Sequence, residues 1–310
     1  MGLTEGTFYG INIRSVFKPY SKGVATMDKN NLEKVEKYFQ EGLRFLRLKA
    51  NASAYEKFAA IIREEPEHVE AYVGLGLSLE RNGKPHEAIS MYKQAIKLDP
   101  KNAVAVYNLG VVYLGLKQNF KAWRQFKKTL KLQPDNPNAL HNLGLLAFNK
   151  KKYKKAISFL LRAVAANTEK PFAIHYLLGK SFLGQRLTNE AYFHFRKSVE
   201  LRDEFLPALF ELFKLHQMRG EWLQLFEVVR KISRLCSNNQ TMRNEIQKSL
   251  QAVKEKVDHV EGSSGQQLRK VLDEIEAELD PEHRSRKFNE NLQPKVIISE
   301  PDEDAPRVYH

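Results

Sequence analysis

Residues 103–136 read AVAVYNLGVVYLGLKQNFKAWRQFKKTLKLQPDN, and the 34 residues before them, 69–102, read VEAYVGLGLSLERNGKPHEAISMYKQAIKLDPKN. Laid over one another, the two stretches share a Leu-Gly pair, an alanine, an aromatic residue and a proline at equal offsets. The landmarks continue outward: Leu75-Gly76, Leu109-Gly110 and Leu143-Gly144 recur at a spacing of 34, and Leu178-Gly179 follows after 35. Ala54, Ala88, Ala122, Ala156 and Ala191 step by 34, 34, 34 and 35, each followed four residues later by Phe58, Tyr92, Phe126, Leu160 or Phe195. Pro66, Pro100 and Pro134 close the first three units. Two independent landmarks holding one period make the chain a repeat array, which replaces the roughly two domains that its length would otherwise suggest.

A period of this kind fits one pair of antiparallel helices per unit. Small residues at the eighth and twentieth positions let the two helices approach closely, the large residue at the twenty-fourth fills the space between neighbouring units, and the proline cannot continue the second helix. The pattern resembles that of the tetratricopeptide repeat family, and the resemblance covers about residues 35–239. It implies an all-α fold, a right-handed α-solenoid of about six helix pairs near 35–68, 69–102, 103–136, 137–171, 172–205 and 206–239. The fourth unit has Thr168 where the proline stood, and the fifth carries one extra residue near Pro171. The first keeps Gly42, Phe45, Ala54, Phe58 and Pro66, whereas the last keeps Phe213 and Gly220 without the Leu-Gly pair.

Outside the repeats, residues 1–34 lack a period and read as an N-terminal arm. Ile246, Leu250, Val253, Val257 and Val260 form the stripe of an amphipathic helix expected to cap the solenoid. Gly262-Ser263-Ser264-Gly265 is expected to break that helix, and Leu268, Val271, Leu272, Ile275 and Leu279 mark a second one, so that 240–280 is a helical capping region. Residues 281–310, rich in proline and charge, read as a disordered acidic tail.

Composition narrows the function. Charged residues make up 28% and hydrophobic residues 42%, the balance of an ordinary water-soluble chain. The opening MGLTEGTFYGINIRSVFK has no apolar core behind a basic start, and no run of about 18 apolar residues follows it, so neither secretion nor membrane spanning is expected. Gly2 is not a myristoylation site on this reading, because the sixth position is Gly6 where that motif needs Ser or Thr. The single cysteine, Cys236, allows no intrachain disulfide and no cysteine zinc cluster, which makes the cytoplasm the expected compartment. The nine histidines form no His-Glu-x-x-His pair and Gly-rich phosphate loops are missing. Cys236, with His216 nearby, reads as a small buried hydrophobe, and Trp123 and Trp222 read as core residues. The expectation is a non-catalytic protein without metal or cofactor.

In the family resembled, the first helix of each unit lines a concave groove with its second, fifth, sixth, ninth and twelfth positions. Here the fifth positions include Val73, Tyr107, His141 and Tyr176, and the ninth include Leu77, Val111 and Leu145. That trough is apolar and aromatic where a solvated face would be polar, and a peptide segment of a partner protein is its natural filling. The alternative is that the chain's own N-terminal arm or capping helices fill it. Asn108 and Asn142 take the sixth positions of adjacent units. A carboxamide both donates and accepts, so two in register can grip successive backbone amides. They resemble the asparagine ladder of O-linked N-acetylglucosamine transferases, which runs through many more units. The carboxylate clamp of chaperone-binding members needs Lys at the fifth position of one unit, and Val73, Tyr107 and His141 stand at those positions instead.

The net charge of +13 is concentrated: residues 103–170 hold thirteen Lys or Arg against two acids, whereas 241–310 hold eleven against fifteen. Lys121, Arg124, Lys127, Lys128 and Lys131 fall on the second helix of one unit, and Lys150, Lys151, Lys152, Lys154 and Lys155 surround the helix turn of the next. This face points away from the groove and suits an anionic membrane surface, nucleic-acid phosphates, another polyanion or an acidic protein tail, including Glu300–Asp304 of the same chain or of a second copy, by self-association. Phe120 and Tyr153 are too few to form a base-stacking platform. The favoured reading is a protein–protein interaction adaptor or scaffold. The alternatives are a peripheral scaffold on an anionic organelle membrane, as for magnetosome-associated members of the family, and an RNA-associated repeat protein.

Overall fold

Paired helices account for most of the described residues. The computed structural model describes residues 29–166, 170–235 and 240–279. Cys236, Thr168, residues 1–28 and the tail from 281 lie outside the described residues, as does the Glu300–Asp304 cluster, while residues 29–34, expected in the N-terminal arm, belong to the first helix. The chain divides into two units, Met1–Arg202 and Asp203–His310. Among the described residues every regular element is a helix, which is the all-α class that the period implies.

The first unit stacks five helix pairs: α1 (Lys29–Arg47) with α2 (Asn51–Glu64), α3 (Val69–Arg81) with α4 (Pro85–Leu98), and α5 (Ala103–Gly115) with α6 (Asn119–Leu132). α7 (Pro137–Asn149) with α8 (Tyr153–Ala165) and α9 (Pro171–Gly184) with α10 (Thr188–Leu201) complete it. Each helix packs on its own partner and then on the helix that follows, the nearest-neighbour pattern of a solenoid.

The contact that fixes each pair is the one the spacing implied. A methyl group at Gly76 would sit 2.7 Å from the Tyr92 ring, one at Gly110 2.8 Å from Phe126, one at Gly144 2.6 Å from Leu160 and one at Gly179 2.5 Å from Phe195. No side chain fits there without moving the pair apart. Phe58 does double duty, lying against Gly42 of its own pair and Gly74 of the next.

Boundaries follow local chemistry. Glu65, Asp99 and Gln133, each followed by a proline, close α2, α4 and α6 in extended geometry, with φ of −131°, −130° and −137°. Two residues after that proline a capping side chain starts the next helix. Asn102 and Asn136 accept from the backbone N–H of Ala105 and Ala139 at 2.8 and 2.9 Å. His68 does the same for α3 through Nδ1 at 3.3 Å, and burial holds its imidazole neutral with a pKa near 4.

The turn inside each pair also repeats. Lys49, Gly83, Lys117, Lys151 and Arg186, all at the fifteenth position of their unit, adopt left-handed backbone with φ between 56° and 73°. Only one of the five is glycine, so four side chains are held in a conformation that costs about 1 kcal/mol each.

α11 (Leu206–Arg219) and α12 (Trp222–Leu235) form a further pair, with the turn again at a left-handed residue, Gly220. α13 (Gln240–Asp258) and α14 (Gly262–Leu279) follow. The capping arrangement differs in detail from expectation. Gly262-Ser263-Ser264-Gly265 does not interrupt a helix but forms the first turn of α14, and the reversal falls at 259–261. Gly262, at a φ of 79°, supplies the change of direction, while Arg269 Nη1 donates to the carbonyls of Val257, Asp258 and Val260 at 3.3–3.4 Å and ties the turn down. α14 packs on α12, with Arg230 and Glu274 paired at 2.9 Å.

Replacing Lys117 by Gly relieves the left-handed strain and is expected to raise stability by about 1 kcal/mol, or roughly 2–4 °C in Tm for a unit of this size. Gly83→Ala, at the equivalent turn, is expected to lower it by a similar amount. Thermal melts followed by circular dichroism check both, and a fall in Tm for Lys117→Gly would contradict the strain argument.

Candidate functional site

The inner helices α1, α3, α5, α7 and α9 carry the positions of the expected groove. On α5 the Leu109-Gly110 edge faces α6, and Tyr107, one turn before Gly110, also reaches that helix with its ring 5.7 Å from that of Phe126, whereas Asn108 and Val111 lie well round from the edge. Val73 and Leu77 of α3 and Tyr107 and Val111 of α5 are buried, with exposures between 1% and 7%. His141 and Leu145 of α7 and Tyr176 of α9 are half-buried. The apolar stripe is therefore continuous along four inner helices.

Asn108 and Asn142 differ from expectation. Both were expected to look into an open groove, and both are fully buried. The physical reason is size: α5 is apolar nearly all round, and a short carboxamide between Tyr107 and Val111 sinks below their surface. The two amides are also inequivalent. Asn142 Nδ2 donates to the Tyr107 hydroxyl at 3.2 Å, linking adjacent inner helices, and its Oδ1 has no hydrogen-bond partner. Asn108 finds no hydrogen-bond partner for either Oδ1 or Nδ2. A buried amide left unsatisfied costs about 1–3 kcal/mol, so this position is held at a cost in stability.

Two titratable groups on this face have strongly shifted pKa values. His141 is held neutral, its pKa pushed down to about 4 by burial and then by the charge of Lys170. Glu80, at the twelfth position of α3, has its pKa pushed up to about 7 by burial, although Tyr92 Oη donates to its Oε2 at 3.3 Å. Sequence reasoning passed over Glu80. The signal was there, since the other twelfth positions in this unit are Leu46, Leu114, Phe148 and Leu183 and a lone carboxylate in that series is out of place.

The basic residues lie elsewhere. Lys121, Arg124 and Lys127 of α6 are exposed, Lys128 is half-buried, and Lys121 Nζ stands 5.5 Å from the centre of the Tyr113 ring. Lys150, Lys151, Lys152, Lys154 and Lys155 are all exposed around the α7–α8 turn, where a shallow recess of about 270 Å³ is lined by Lys151–Lys155 and Gln185. The described ion pair of this region joins Arg162 to Asp135, and none of the five lysines takes part in one. Among the described residues no cluster of three or more His, Cys, Asp or Glu could hold a metal ion, and no helix is long and apolar enough to cross a membrane.

A family model described as "TPR repeat" matches residues 82–117, and one described as "Tetratricopeptide repeat" matches 126–158. No curated protein matches the sequence. Among solved structures, PilF of Pseudomonas aeruginosa is 18% identical with a TM-score of 0.63, over 72% of this chain and 99% of that one. The Cut9–Hcn1 hetero-tetramer of the APC/C is 19% identical with a TM-score of 0.58, over 70% of this chain and only 43% of that one. YrrB, described as a TPR protein with an unusual peptide-binding site, is 22% identical with a TM-score of 0.51, over 59% of this chain and 93% of that one. At these identities the likeness is one of fold.

The buried Glu80 has a pH signature. Its folded pKa, near 7, lies above the ordinary value of 4.5, so the folded state holds a proton that the unfolded chain releases between those values. Its contribution is therefore present below about pH 4.5 and is lost as pH rises through 7. Glu80→Gln is expected to leave stability little changed at pH 5 and to raise it by about 1–3 kcal/mol at pH 8. Melts at the two pH values check this, and an equal shift at both would contradict it.

Proposed function

We propose that this chain, which belongs to the tetratricopeptide repeat family, is a non-catalytic cytoplasmic adaptor that binds an extended peptide segment of a partner protein along its concave stripe. Protein binding is the general role of the family, and the stripe is the feature of this chain suited to it. One observation carries the reading: the carboxamide of Asn108 is buried and without a partner in an otherwise apolar face. Backbone N–H and C=O groups of an extended peptide supply what that amide lacks, and Val73, Leu77, Tyr107, Val111, Leu145 and Tyr176 supply apolar contact for alternate side chains.

The test begins with a displayed peptide library selected on the full chain, followed by calorimetry with a selected peptide. Asn108→Ala is expected to lower affinity about tenfold while leaving Tm unchanged or higher, because removing an unsatisfied buried amide relieves the free protein. Asn142→Ala is expected to lower both, since it breaks the bond to Tyr107. Undiminished affinity in both variants would place the binding surface elsewhere.

A second reading rests on the five unpaired lysines around the α7–α8 turn, which make this face a site for a polyanion such as an anionic membrane. Changing Lys150, Lys151, Lys152, Lys154 and Lys155 to Glu is expected to abolish binding to heparin and to anionic vesicles while leaving helicity intact. In the parent chain that binding should fall steeply between low and physiological salt. Equal binding by parent and variant would leave the patch as a solvated face.

A further inference from the structure

The turns inside the five helix pairs of the first unit line one edge, since the inner helices all end there and their outer partners all begin there. Contacts join neighbouring turns. Arg81 Nη1, at the end of α3, donates to the carbonyl of Leu46 near the end of α1 at 2.7 Å, and the Tyr153 ring that opens α8 lies against Gly184 at the end of α9. From the last residue of each inner helix to the first of its outer partner, the edge comprises 47–51, 81–85, 115–119, 149–153 and 184–188, which hold nine Lys or Arg and no Asp or Glu. At the opposite edge, the connections 64–69, 98–103 and 132–137 hold five acids against one lysine. All nine cations but Arg81 are exposed, and of the nine only Lys84 takes part in a described ion pair, with Glu87 at 3.4 Å.

Some of this charge is held at a cost. Lys49, Lys117, Lys151 and Arg186 are the left-handed turn residues that are not glycine, and a glycine, as at Gly83, takes that backbone without strain. Wherever one of these five turns keeps a side chain in spite of the strain, the side chain is a cation, which ties the strain to a use for charge. Leu48, Phe120 and Leu187 stand within three residues of Lys49, Lys117 and Arg186 and are 65%, 68% and 39% exposed. Basic turns and exposed apolar side chains therefore share the edge.

We propose that this edge docks on an anionic lipid bilayer, its row of cations against the headgroups and Leu48, Phe120 and Leu187 in the interfacial layer. The inference rests on the polyanion reading above, extends it from one turn to five and commits it to one occupant. Charge complementarity selects an anionic partner. Aliphatic side chains set among the cations select lipid over nucleic acid, because a leucine gains area in an acyl boundary and offers no ring on which a base can stack.

The test measures binding of the full chain to vesicles of phosphatidylserine and phosphatidylcholine, to vesicles of phosphatidylcholine alone, and to heparin. One variant carries Leu48→Ser, Phe120→Ser and Leu187→Ser, and a second carries Lys49→Gly, Lys117→Gly and Arg186→Gly. The parent is expected to bind the phosphatidylserine vesicles and heparin and to ignore phosphatidylcholine alone. The serine variant is expected to lose about tenfold or more in vesicle affinity with heparin binding unchanged, because a sulfated sugar draws on charge and not on apolar insertion. The glycine variant keeps the five lysines around the α7–α8 turn and is expected to melt no lower than the parent, yet to bind the vesicles about tenfold or more weakly, so that its loss reports charge and not misfolding. Equal vesicle binding by the parent and the serine variant would overturn the inference and leave the polyanion reading in place. Equal vesicle binding by the glycine variant would overturn it too, by confining the contact to the α7–α8 turn. A parent that binds heparin but no vesicle, or that holds RNA more tightly than vesicles, would likewise overturn it, and a parent that binds none of these would end both readings.

Discussion

The close approach of two helices where a glycine meets a large side chain, as at Gly110 against Phe126, is the constraint on which the first unit depends. Because a methyl group at that glycine has no room, the spacing and register of each pair are set by one contact repeated four times with the same geometry and different partners: Tyr92, Phe126, Leu160 and Phe195. Ala88, Ala122, Ala156 and Ala191, fully buried, keep the facing helix equally close. Nearest-neighbour packing then propagates the arrangement from pair to pair.

The inner face shares in that packing. Besides the Leu-Gly edge, the fifth-position rings of Phe39, Tyr107 and Tyr176 pack on Phe58, Phe126 and Phe195 of the outer helices, and the rest of the inner face is mostly apolar. Polar groups persist there at a cost: an amide without partners at Asn108, a carboxyl held near neutrality at Glu80, an imidazole held uncharged at His141. A face shaped by stability alone would have replaced them with apolar residues, since each destabilises the free chain. Their presence along an apolar stripe is the ground on which the binding role is proposed.

Much of this was legible in the sequence because the landmarks are steric. Gly, Ala and a large residue at fixed offsets state how near two helices come, and Pro followed two residues later by Asn102 or Asn136 states where one helix stops and the next starts. The left-handed turn was not legible, because Lys49, Lys117, Lys151 and Arg186 stand where Gly83 and Gly220 would have announced it, and the pair geometry imposes the conformation on residues that do not favour it. The depth of Asn108 and Asn142 was hidden for a different reason. Position in a repeat gives the direction of a side chain, whereas burial depends on the size of its neighbours, here Tyr107 and Val111. The turn into α14 was misread because Gly262-Ser263-Ser264-Gly265 has the composition of a breaker, and only the anchoring of Arg269 on the preceding carbonyls makes it a helix start.

The central claim, that the concave stripe receives a peptide, is tested most directly at the Asn108 carboxamide itself. Side-chain ¹⁵N–¹H resonances of Asn108 and Asn142, recorded on the full chain as a selected peptide is added, report hydrogen bonds formed at those atoms. The account predicts that the Asn108 amide protons shift downfield and gain protection from exchange at saturation, while the backbone amides of the α7–α8 turn around Lys151 stay in place. Saturable binding that leaves both carboxamides unmoved would contradict it.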